Sequence, residues 1–250
     1  MFDDTETLVI TGAGGDIGYA VASGMASPQT RVLLVDVDLP KLRAVEDALR
    51  GMYREIAVVE CDVSSESGVV HYSNVAREFG RGSVERFFNN AGIIGAIAPL
   101  TEYPAEVFER VLAVNVRGVF LGLKHIGPLL KRGAAVVNTS SVGGLTGQPG
   151  LAAYVASKHA VLGLTRTAAL EWADRGVRVN AICPGPVAGQ MMDALFEGLD
   201  LDPDDRAAAV PIGRLAAPQD IAESVAFLMS AAADHITGTT ITVDGGRQAG

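Results

Sequence analysis

The chain has 250 residues, of which 48% are hydrophobic and 20% are charged, so it can bury the core of one α/β domain. Its formal net charge of −9 at pH 7 would repel a phosphate backbone, which argues against nucleic acid as a partner. No apolar run reaches the ~20 residues of a membrane span, and the amino terminus lacks the features of a signal peptide. We therefore expect one soluble, cytoplasmic domain over residues 1–250, without a membrane partner.

The first predicted element is a short apolar strand, Thr7 to Ile10, that runs into a glycine-rich loop. The loop reads Thr11-Gly12-Ala13-Gly14-Gly15-Asp16-Ile17-Gly18. Glycines between a strand and a helix allow a tight turn and let a pyrophosphate approach the helix N-terminus, whose amides favour anions. The spacing departs from G-x-G-x-x-G, so the loop alone fits an ordinary glycine-rich turn equally well.

A second predicted strand, Arg31 to Val35, ends at Asp36. An acidic side chain there can accept hydrogen bonds from an adenosine ribose and would repel a 2′-phosphate. The alternative for Asp36 is a helix N-cap or turn residue. The order of strand, glycine loop, helix, strand and acid favours a dinucleotide site.

Further β-branched apolar runs alternate with helical stretches, as is typical of strands that are buried on both faces. We expect an α/β fold with a single Rossmann-type doubly wound parallel sheet of about seven strands and helices on both faces. The predicted strands lie near residues 7–11, 31–36, 55–61, 84–90, 134–140, 177–183 and 239–243, and the clearest helices at 40–50, 66–79 and 218–229. Right-handed crossovers bring Gly12, Asn89 and Ser141 to one edge of this sheet.

Tyr154 and Lys158 stand four residues apart on a predicted helix, with Ser141 upstream. An i,i+4 pair lies on one helix face, so the ammonium can stabilise a phenolate. Lowering a phenol pKa from ~10 to about 7 takes roughly 4 kcal/mol, which one cation at ~4 Å supplies at an effective dielectric of ~20. The alternative is an aromatic packing anchor beside a solvated lysine.

The chain resembles the short-chain dehydrogenase/reductase family over nearly all its length, because seven further motifs follow the family's order. They are Asp62-Val63, Asn89-Asn90-Ala91-Gly92, Asn115 within residues 114–118, Ser140-Ser141-Val142, Tyr154-Val155-Ala156-Ser157-Lys158, Pro184-Gly185 and Val243-Asp244-Gly245-Gly246.

The resemblance implies an NAD-dependent oxidoreductase that interconverts a secondary alcohol and its ketone by hydride transfer. Tyr154 is then the general acid or base, Ser141 donates to the substrate oxygen, and Lys158 keeps the phenol acidic and holds the nicotinamide ribose. Asn115 binds a water that links Lys158 to solvent; the alternative is a mid-helix asparagine with local hydrogen bonds. The residues expected to bind NAD are Gly12, Gly14, Asp16, Ile17, Gly18, Asp36, Asp62, Val63, Asn89, Ala91, Gly92, Tyr154, Lys158, Pro184, Gly185 and Val187.

Three departures from the family pattern bear on the cofactor. Asp16 stands at the second glycine of the family's TG-x-x-x-G-x-G loop, where it can cap the helix that starts at Ile17. Gly189 stands where the family usually has a threonine that bonds the carboxamide and phosphate, so one anchor is missing. Gly15 and Val37 occupy positions that are often basic in NADP-preferring members, which favours NAD.

The segment 187–212 interrupts the alternation of strands and helices and contains Met191, Met192, Leu195 and Phe196. In the family this region is a mobile lid over the substrate, but an amphipathic helix that caps the core fits equally well. The family is often tetrameric, so a homotetramer or homodimer is expected. No metal site is expected, since the histidines are scattered and Cys61 and Cys183 are better interpreted as buried thiols.

Two other functions remain open on the same scaffold. A catalytically silent NAD-binding sensor or scaffold protein would have no need of the Ser141, Tyr154 and Lys158 proton relay. A dehydratase or epimerase would retain its cofactor tightly without net turnover.

Overall fold

The computed structural model describes residues 5–198 and 210–249. Within them, seven strands form one sheet in the order β3-β2-β1-β4-β5-β6-β7, and all six neighbouring pairs are parallel. The strands are β1 (Glu6–Thr11), β2 (Thr30–Asp36), β3 (Glu55–Glu60), β4 (Val84–Asn89), β5 (Leu130–Thr139), β6 (Arg178–Pro184) and β7 (Thr240–Val243). The predicted parallel α/β sheet is confirmed.

Helices connect the strands. They are α1 (Asp16–Gly24), α2 (Leu39–Ala48), α3 (Glu66–Phe79), α4 (Ala105–Leu112), α5 (Gly118–Ile126), α6 (Ala152–Glu171), α7 (Gln190–Gly198) and α8 (Pro218–Met229). A π-helical turn, Ala113–Arg117, joins α4 to α5. The helices predicted at 40–50, 66–79 and 218–229 correspond to α2, α3 and α8.

Two hydrophobic cores lie on opposite faces of the sheet, because successive side chains of a strand point to opposite sides. In β1, Val9 packs into one core with residues of α3, α5 and α6. Its neighbours Leu8 and Ile10 pack into the other core with residues of α1, α2 and α8. The sheet is therefore covered on both faces, as a doubly wound fold requires.

The strand order reverses at β1, which pairs with β2 on one side and β4 on the other. The loops after β1 and β4 diverge at this point and open a crevice at the carboxyl edge of the sheet. The Thr11 hydroxyl oxygen accepts hydrogen bonds from the amides of Asn90 (2.9 Å) and Ala91 (3.2 Å), which holds the two loops together at its base.

Two further observations concern the described residues. None of their helices is both long and apolar enough to cross a lipid bilayer. Cys61 and Cys183 are buried free thiols, as predicted.

Candidate active site

A cavity of about 710 Å³ lies at this crevice. Gly12, Asp16 and Asp36 are on its wall, and so are Ser141 and the other two residues of the predicted proton relay. The other predicted site residues on its wall are Ile17, Asp62, Val63, Ala91, Gly92, Pro184, Gly185 and Val187. One cavity thus contains both the glycine loop near the amino end of the chain and the predicted catalytic residues Tyr154 and Lys158 of α6.

The glycine loop needs glycine where the backbone segments approach one another most closely. Gly12 has a φ of +65°, and a Cβ built on it would lie 2.9 Å from the Ala91 Cα. A Cβ on Gly18 would lie only 2.1 Å from the carbonyl oxygen of Gly12. Gly14 and Gly18 do not line the cavity, and their contact with a cofactor stays a prediction.

Asp16 does not cap α1, contrary to the sequence-based expectation. The helix begins at Asp16 itself, and its N-cap residue is Gly15. The Asp16 carboxylate instead accepts a hydrogen bond from the amide of Gln190, 3.0 Å away at the start of α7. Among the described side chains none accepts from the first-turn amides of α1, so these donors face the cavity end where a pyrophosphate would fit.

Asp36 presents a carboxylate to the cavity from the end of β2. Its Oδ2 accepts from the amide of Gly14 (2.9 Å), and its Oδ1 accepts from the amide of Asp38 (3.1 Å). Each oxygen keeps a second lone pair, so the group can still accept hydrogen bonds from a diol. The N-cap of α2 is Asp38, which accepts from the Lys41 amide, so the N-cap alternative for Asp36 is wrong.

Asp62 and Val63 form the wall after β3. The Asp62 carboxylate accepts from the amide (2.9 Å) and hydroxyl (2.7 Å) of Ser64 and so fixes the turn into α3. Val63 is buried, and a Cβ on Gly118 would lie 2.9 Å from its Cγ2. Close packing against the start of α5 therefore holds the Val63 side chain in place.

Asn89 is not on the cavity wall, and its place beside the ribose stays a prediction. Its side chain is buried and donates to the carbonyl oxygen of Val119, 3.1 Å away. The next residue, Asn90, lies on the wall instead and was missed as a site residue. Since β4 ends at Asn89, strand alternation no longer dictates which of the two asparagines faces the crevice.

Asn90 connects the two ends of the cavity through hydrogen bonds. Its Nδ2 donates to the carbonyl oxygens of Thr11 (3.2 Å) and Gly12 (3.3 Å). Its Oδ1 accepts from the hydroxyl of Thr139 (3.0 Å), whose carbonyl oxygen accepts from the Lys158 ammonium (2.9 Å). These hydrogen bonds connect both the glycine loop and Lys158 to the ends of β4 and β5.

Ser141, Tyr154 and Lys158 come together because β5 ends beside the first turns of α6. The Lys158 Nζ lies 5.6 Å from the centroid of the Tyr154 ring, so the ammonium faces the ring. The Ser141 hydroxyl oxygen accepts from the Gly143 amide (3.1 Å) and interacts with the Tyr154 hydroxyl. Ser140 points away and donates to the Lys158 carbonyl oxygen (2.8 Å), as the strand pleat predicts.

The acidification of Tyr154 by Lys158 stays a prediction, and burial of both groups opposes it. Burial raises the pKa of the Tyr154 phenol above its usual value, while the hydrogen bond with Ser141 opposes this rise. Burial also lowers the pKa of Lys158 from 10.5 to about 8. The low-polarity surroundings disfavour both the phenolate and the ammonium, which the estimate from one cation in a uniform dielectric left out.

Asn115 is fully buried in the π-helical turn and stands behind the wall. Its Oδ1 accepts from the Ile93 amide, and its Nδ2 donates to the Ile93 carbonyl oxygen, both at 2.8 Å. Nδ2 also donates to the Ser157 hydroxyl (2.9 Å) on α6. The side chain therefore connects the segment after β4 to α6, and its role in binding water stays a prediction.

The described part of segment 187–212 borders the cavity. Val187 forms a parallel bridge with Ala216, and α7 follows at Gln190–Gly198. The four residues singled out from the sequence all line the cavity: Met191, Met192, Leu195 and Phe196. Residues 199–209 of the predicted lid lie outside the described residues.

The family model described as enoyl-(acyl carrier protein) reductase matches residues 12–248. The chain belongs to the short-chain dehydrogenase/reductase family. Within this family it is 37% identical to levodione reductase of Leifsonia aquatica over 97% of this chain and 94% of the relative. It is also 35% identical to cyclohexanol dehydrogenase of Acinetobacter sp. (strain SE19), over 97% of this chain and 94% of the relative.

Solved structures of the family agree with the fold. A crystal structure of levodione reductase matches with a TM-score of 0.93 and 35% identity, covering 98% of each chain. The structure of NAD⁺-bound xylitol dehydrogenase matches with a TM-score of 0.90 and 34% identity, covering 96% of this chain and 98% of the other. The chain is accordingly an oxidoreductase of the short-chain dehydrogenase/reductase family. In the described ranges, no group of three or more histidine, cysteine or acidic side chains could hold a metal ion.

Proposed function

We propose that the chain is an NAD-dependent oxidoreductase that interconverts a secondary alcohol and its ketone. One observation carries the proposal: Ser141, Tyr154 and Lys158 share a cavity wall with the glycine loop and Asp36. The trio can handle a proton on a substrate oxygen, and the loop and carboxylate can hold a dinucleotide. A cavity of about 710 Å³ is within the usual size of a small-molecule site.

Three side chains perform the proton chemistry in this proposal. Tyr154 gives its phenolic proton to the carbonyl oxygen during reduction and takes it back during oxidation. Ser141 donates a hydrogen bond to the same oxygen, where negative charge develops. The Lys158 ammonium, 5.6 Å from the centre of the tyrosine ring, favours the phenolate and holds the ribose. A bound nicotinamide would supply or accept the hydride at the substrate carbon.

The residues at the other end fit NAD. The first turn of α1 and Gly12 line the cavity, where helix N-terminal amides can bind a pyrophosphate. The Asp36 carboxylate lies on the wall beside the exposed Val37, where it can accept from a ribose diol but would repel a 2′-phosphate. These features support NAD as the preferred cofactor.

The substrate is proposed to have an apolar and cyclic body. The apolar side chains of α7 line the cavity, and so do the aliphatic side chains of Ile94, Val142 and Leu151. Arg110 and Arg247 are also on the wall, so the substrate panel should include neutral and carboxylated members of each pair. The names of the two curated relatives, levodione reductase and cyclohexanol dehydrogenase, support cyclic ketones and alcohols as the first compounds to assay.

Turnover of NAD with cyclic secondary alcohols tests the proposal, with Tyr154→Phe as the decisive variant. We expect this variant to lose turnover and still bind NADH, because only the phenolic hydroxyl group is removed. Tyr72→Phe is the matched control, since Tyr72 is a residue of α3 that is buried in the core and does not line the cavity. Full activity in Tyr154→Phe would remove the tyrosine from the mechanism.

The cofactor preference is tested separately with Asp36→Ala. Loss of the carboxylate should weaken NAD binding and reduce the difference in affinity between NAD and NADP. If wild-type protein prefers NADP, or if Asp36→Ala leaves the preference unchanged, the assignment of NAD is wrong.

Two alternatives give different outcomes in the same assays. A silent sensor or scaffold would bind NADH but turn over none of the panel. A dehydratase or epimerase would purify with retained cofactor and convert substrate without net NADH formation. The Ser141, Tyr154 and Lys158 arrangement favours the dehydrogenase over the silent sensor, because it places a proton donor on the cavity wall.

A homotetramer or homodimer is proposed through the outer face of α5 and α6. Phe120 and Leu170 on these helices are 47% and 82% exposed, and a second groove between the helices contains Leu164 and Trp172. Sedimentation should show an assembly that Phe120→Asp dissociates; an unchanged mass would contradict this interface.

The free thiols Cys61 and Cys183 support a cytoplasmic location.

A further inference from the structure

Two departures from the family pattern meet in space. A Cβ built on Gly189 would lie 2.2 Å from Oδ2 and 2.7 Å from Cγ of Asp16. Gly189 also has a φ of +143°, which disfavours any other residue. The carboxylate therefore occupies the space that a side chain at position 189 would need, so the aspartate and the glycine depend on each other.

The same carboxylate provides a missing helix cap. The carbonyl oxygen of Gly189 accepts from the amide of Asp193 (3.0 Å), which makes Gly189 the N-cap residue of α7, but it has no side chain to cap with. Asp16, from the other end of the sequence, accepts from the Gln190 amide at 3.0 Å. A carboxylate at this position also interacts favourably with the helix dipole.

A second contact ties the same turn to the cofactor-binding half of the molecule. The Lys41 ammonium of α2 donates to Oε1 of Gln190, 3.1 Å away. The following residues Met191 and Met192 are on the cavity wall. Whatever fixes the first turn of α7 therefore also places the apolar side chains that face the substrate.

We propose that Asp16 is a positioning residue that fastens α7 to the glycine loop before any cofactor binds. In the family, the threonine at the position of Gly189 bonds the cofactor, so the start of this segment is held by the cofactor itself. Here the protein supplies that restraint internally, at the cost of a negative charge beside the pyrophosphate position. The identity of the bound dinucleotide rests on the proposed function, whereas the restraint on α7 does not.

Amide hydrogen exchange in cofactor-free protein tests the restraint directly. In Asp16→Ala we expect the Gln190 amide and its neighbours in α7 to exchange about fivefold faster, the scale of one lost helix cap. Asp16→Asn keeps an acceptor without the charge and should retain most of the protection. Asp220→Ala is the matched control: it removes the carboxylate that accepts from the Ala217 amide at the start of α8 and should leave α7 unchanged. Unchanged exchange of α7 in Asp16→Ala would overturn the proposal.

A double-variant cycle tests the mutual dependence of the two positions. Gly189→Thr alone should impair NADH binding and kcat/KM, because the new side chain meets the Asp16 carboxylate. Asp16→Gly/Gly189→Thr vacates that space, and we expect it to recover at least about tenfold in kcat/KM over Gly189→Thr, as coupled neighbours do. Strictly additive effects would refute the coupling.

The cofactor dependence of α7 separates this inference from the proposed function. Wild-type α7 should be protected to the same degree with and without NADH, whereas the double variant should gain protection only when NADH is bound. Wild-type protection that appears only with NADH would overturn the inference. Fast exchange in cofactor-free Asp16→Ala together with no alcohol turnover by the wild type would support the restraint and refute the proposed reaction.

Discussion

The buried ammonium of Lys158 should make the stability of the cofactor-free protein depend on pH in an unusual direction. Lys158 is 4% exposed, and burial lowers its pKa from 10.5 to about 8. Between these two pH values the unfolded chain binds a proton that the folded chain has already lost, so the free energy of unfolding rises with pH. A pKa difference of about 2.5, at roughly 1.4 kcal/mol each, gives ~3 kcal/mol.

Lys158→Met isolates this effect because it removes the titrating group but keeps an unbranched side chain. Between pH 8 and 10.5, wild-type protein should gain up to ~3 kcal/mol in free energy of unfolding relative to the variant. Below pH 8 the wild type carries a buried charge that lowers its free energy of unfolding, and the variant lacks this charge. Only the pH dependence is compared, because the hydrogen bond from Lys158 to the Thr139 carbonyl oxygen is also lost.

Urea unfolding of cofactor-free protein at several pH values, at one fixed protein concentration, measures the difference. Lys124→Met is the matched control, since the Lys124 side chain is 48% exposed and pairs with Glu66 at the surface. Its difference from wild type should stay constant over the same range. Parallel curves for wild type and Lys158→Met would refute the reasoning.

Four other substitutions have defined expectations. Ser141→Ala should lower kcat by about 10²- to 10³-fold, as loss of one preorganised donor does, whereas Ser140→Ala should cost about 1 kcal/mol of stability through its lost hydrogen bond and largely spare kcat. Gly18→Ala should destabilise the fold by about 3 kcal/mol in urea unfolding, because its Cβ would lie 2.1 Å from a loop carbonyl oxygen. Asn115→Ala should cost about 1–3 kcal/mol and loosen the Ile93 segment in hydrogen exchange, since buried partners lose their hydrogen bonds.

The fold was predictable because its signals are local. Parallel strands that are buried on both faces appear in the sequence as β-branched runs, and all seven were recognised within a few residues, with β5 beginning earlier than expected at Leu130. Topology alone then brings the carboxyl ends of the central strands together, which is why Gly12 and Ser141 share one cavity.

The details that were missed depend on partners far away in sequence. Whether Asn89 or Asn90 faces the crevice depends on how the chain leaves β4, and both residues are chemically suited to the site. The hydrogen bond from Gln190 to Asp16 spans 174 residues, so no local pattern indicates that the aspartate caps α7. The sequence showed both departures but could not show that they compensate each other.

The charge state of Tyr154 depends on burial as well as on Lys158, and it leads to a further test. Burial raises the phenol pKa and also destabilises the Lys158 ammonium, which lies over the tyrosine ring. A second positive charge in the cavity, such as that of an oxidised nicotinamide, would lower the phenol pKa. Ultraviolet titration of wild type against Tyr154→Phe should therefore place this phenol above its ordinary pKa in cofactor-free protein and lower when NAD is bound. A phenolate that already forms near pH 7 without cofactor would show that Lys158 and Ser141 suffice.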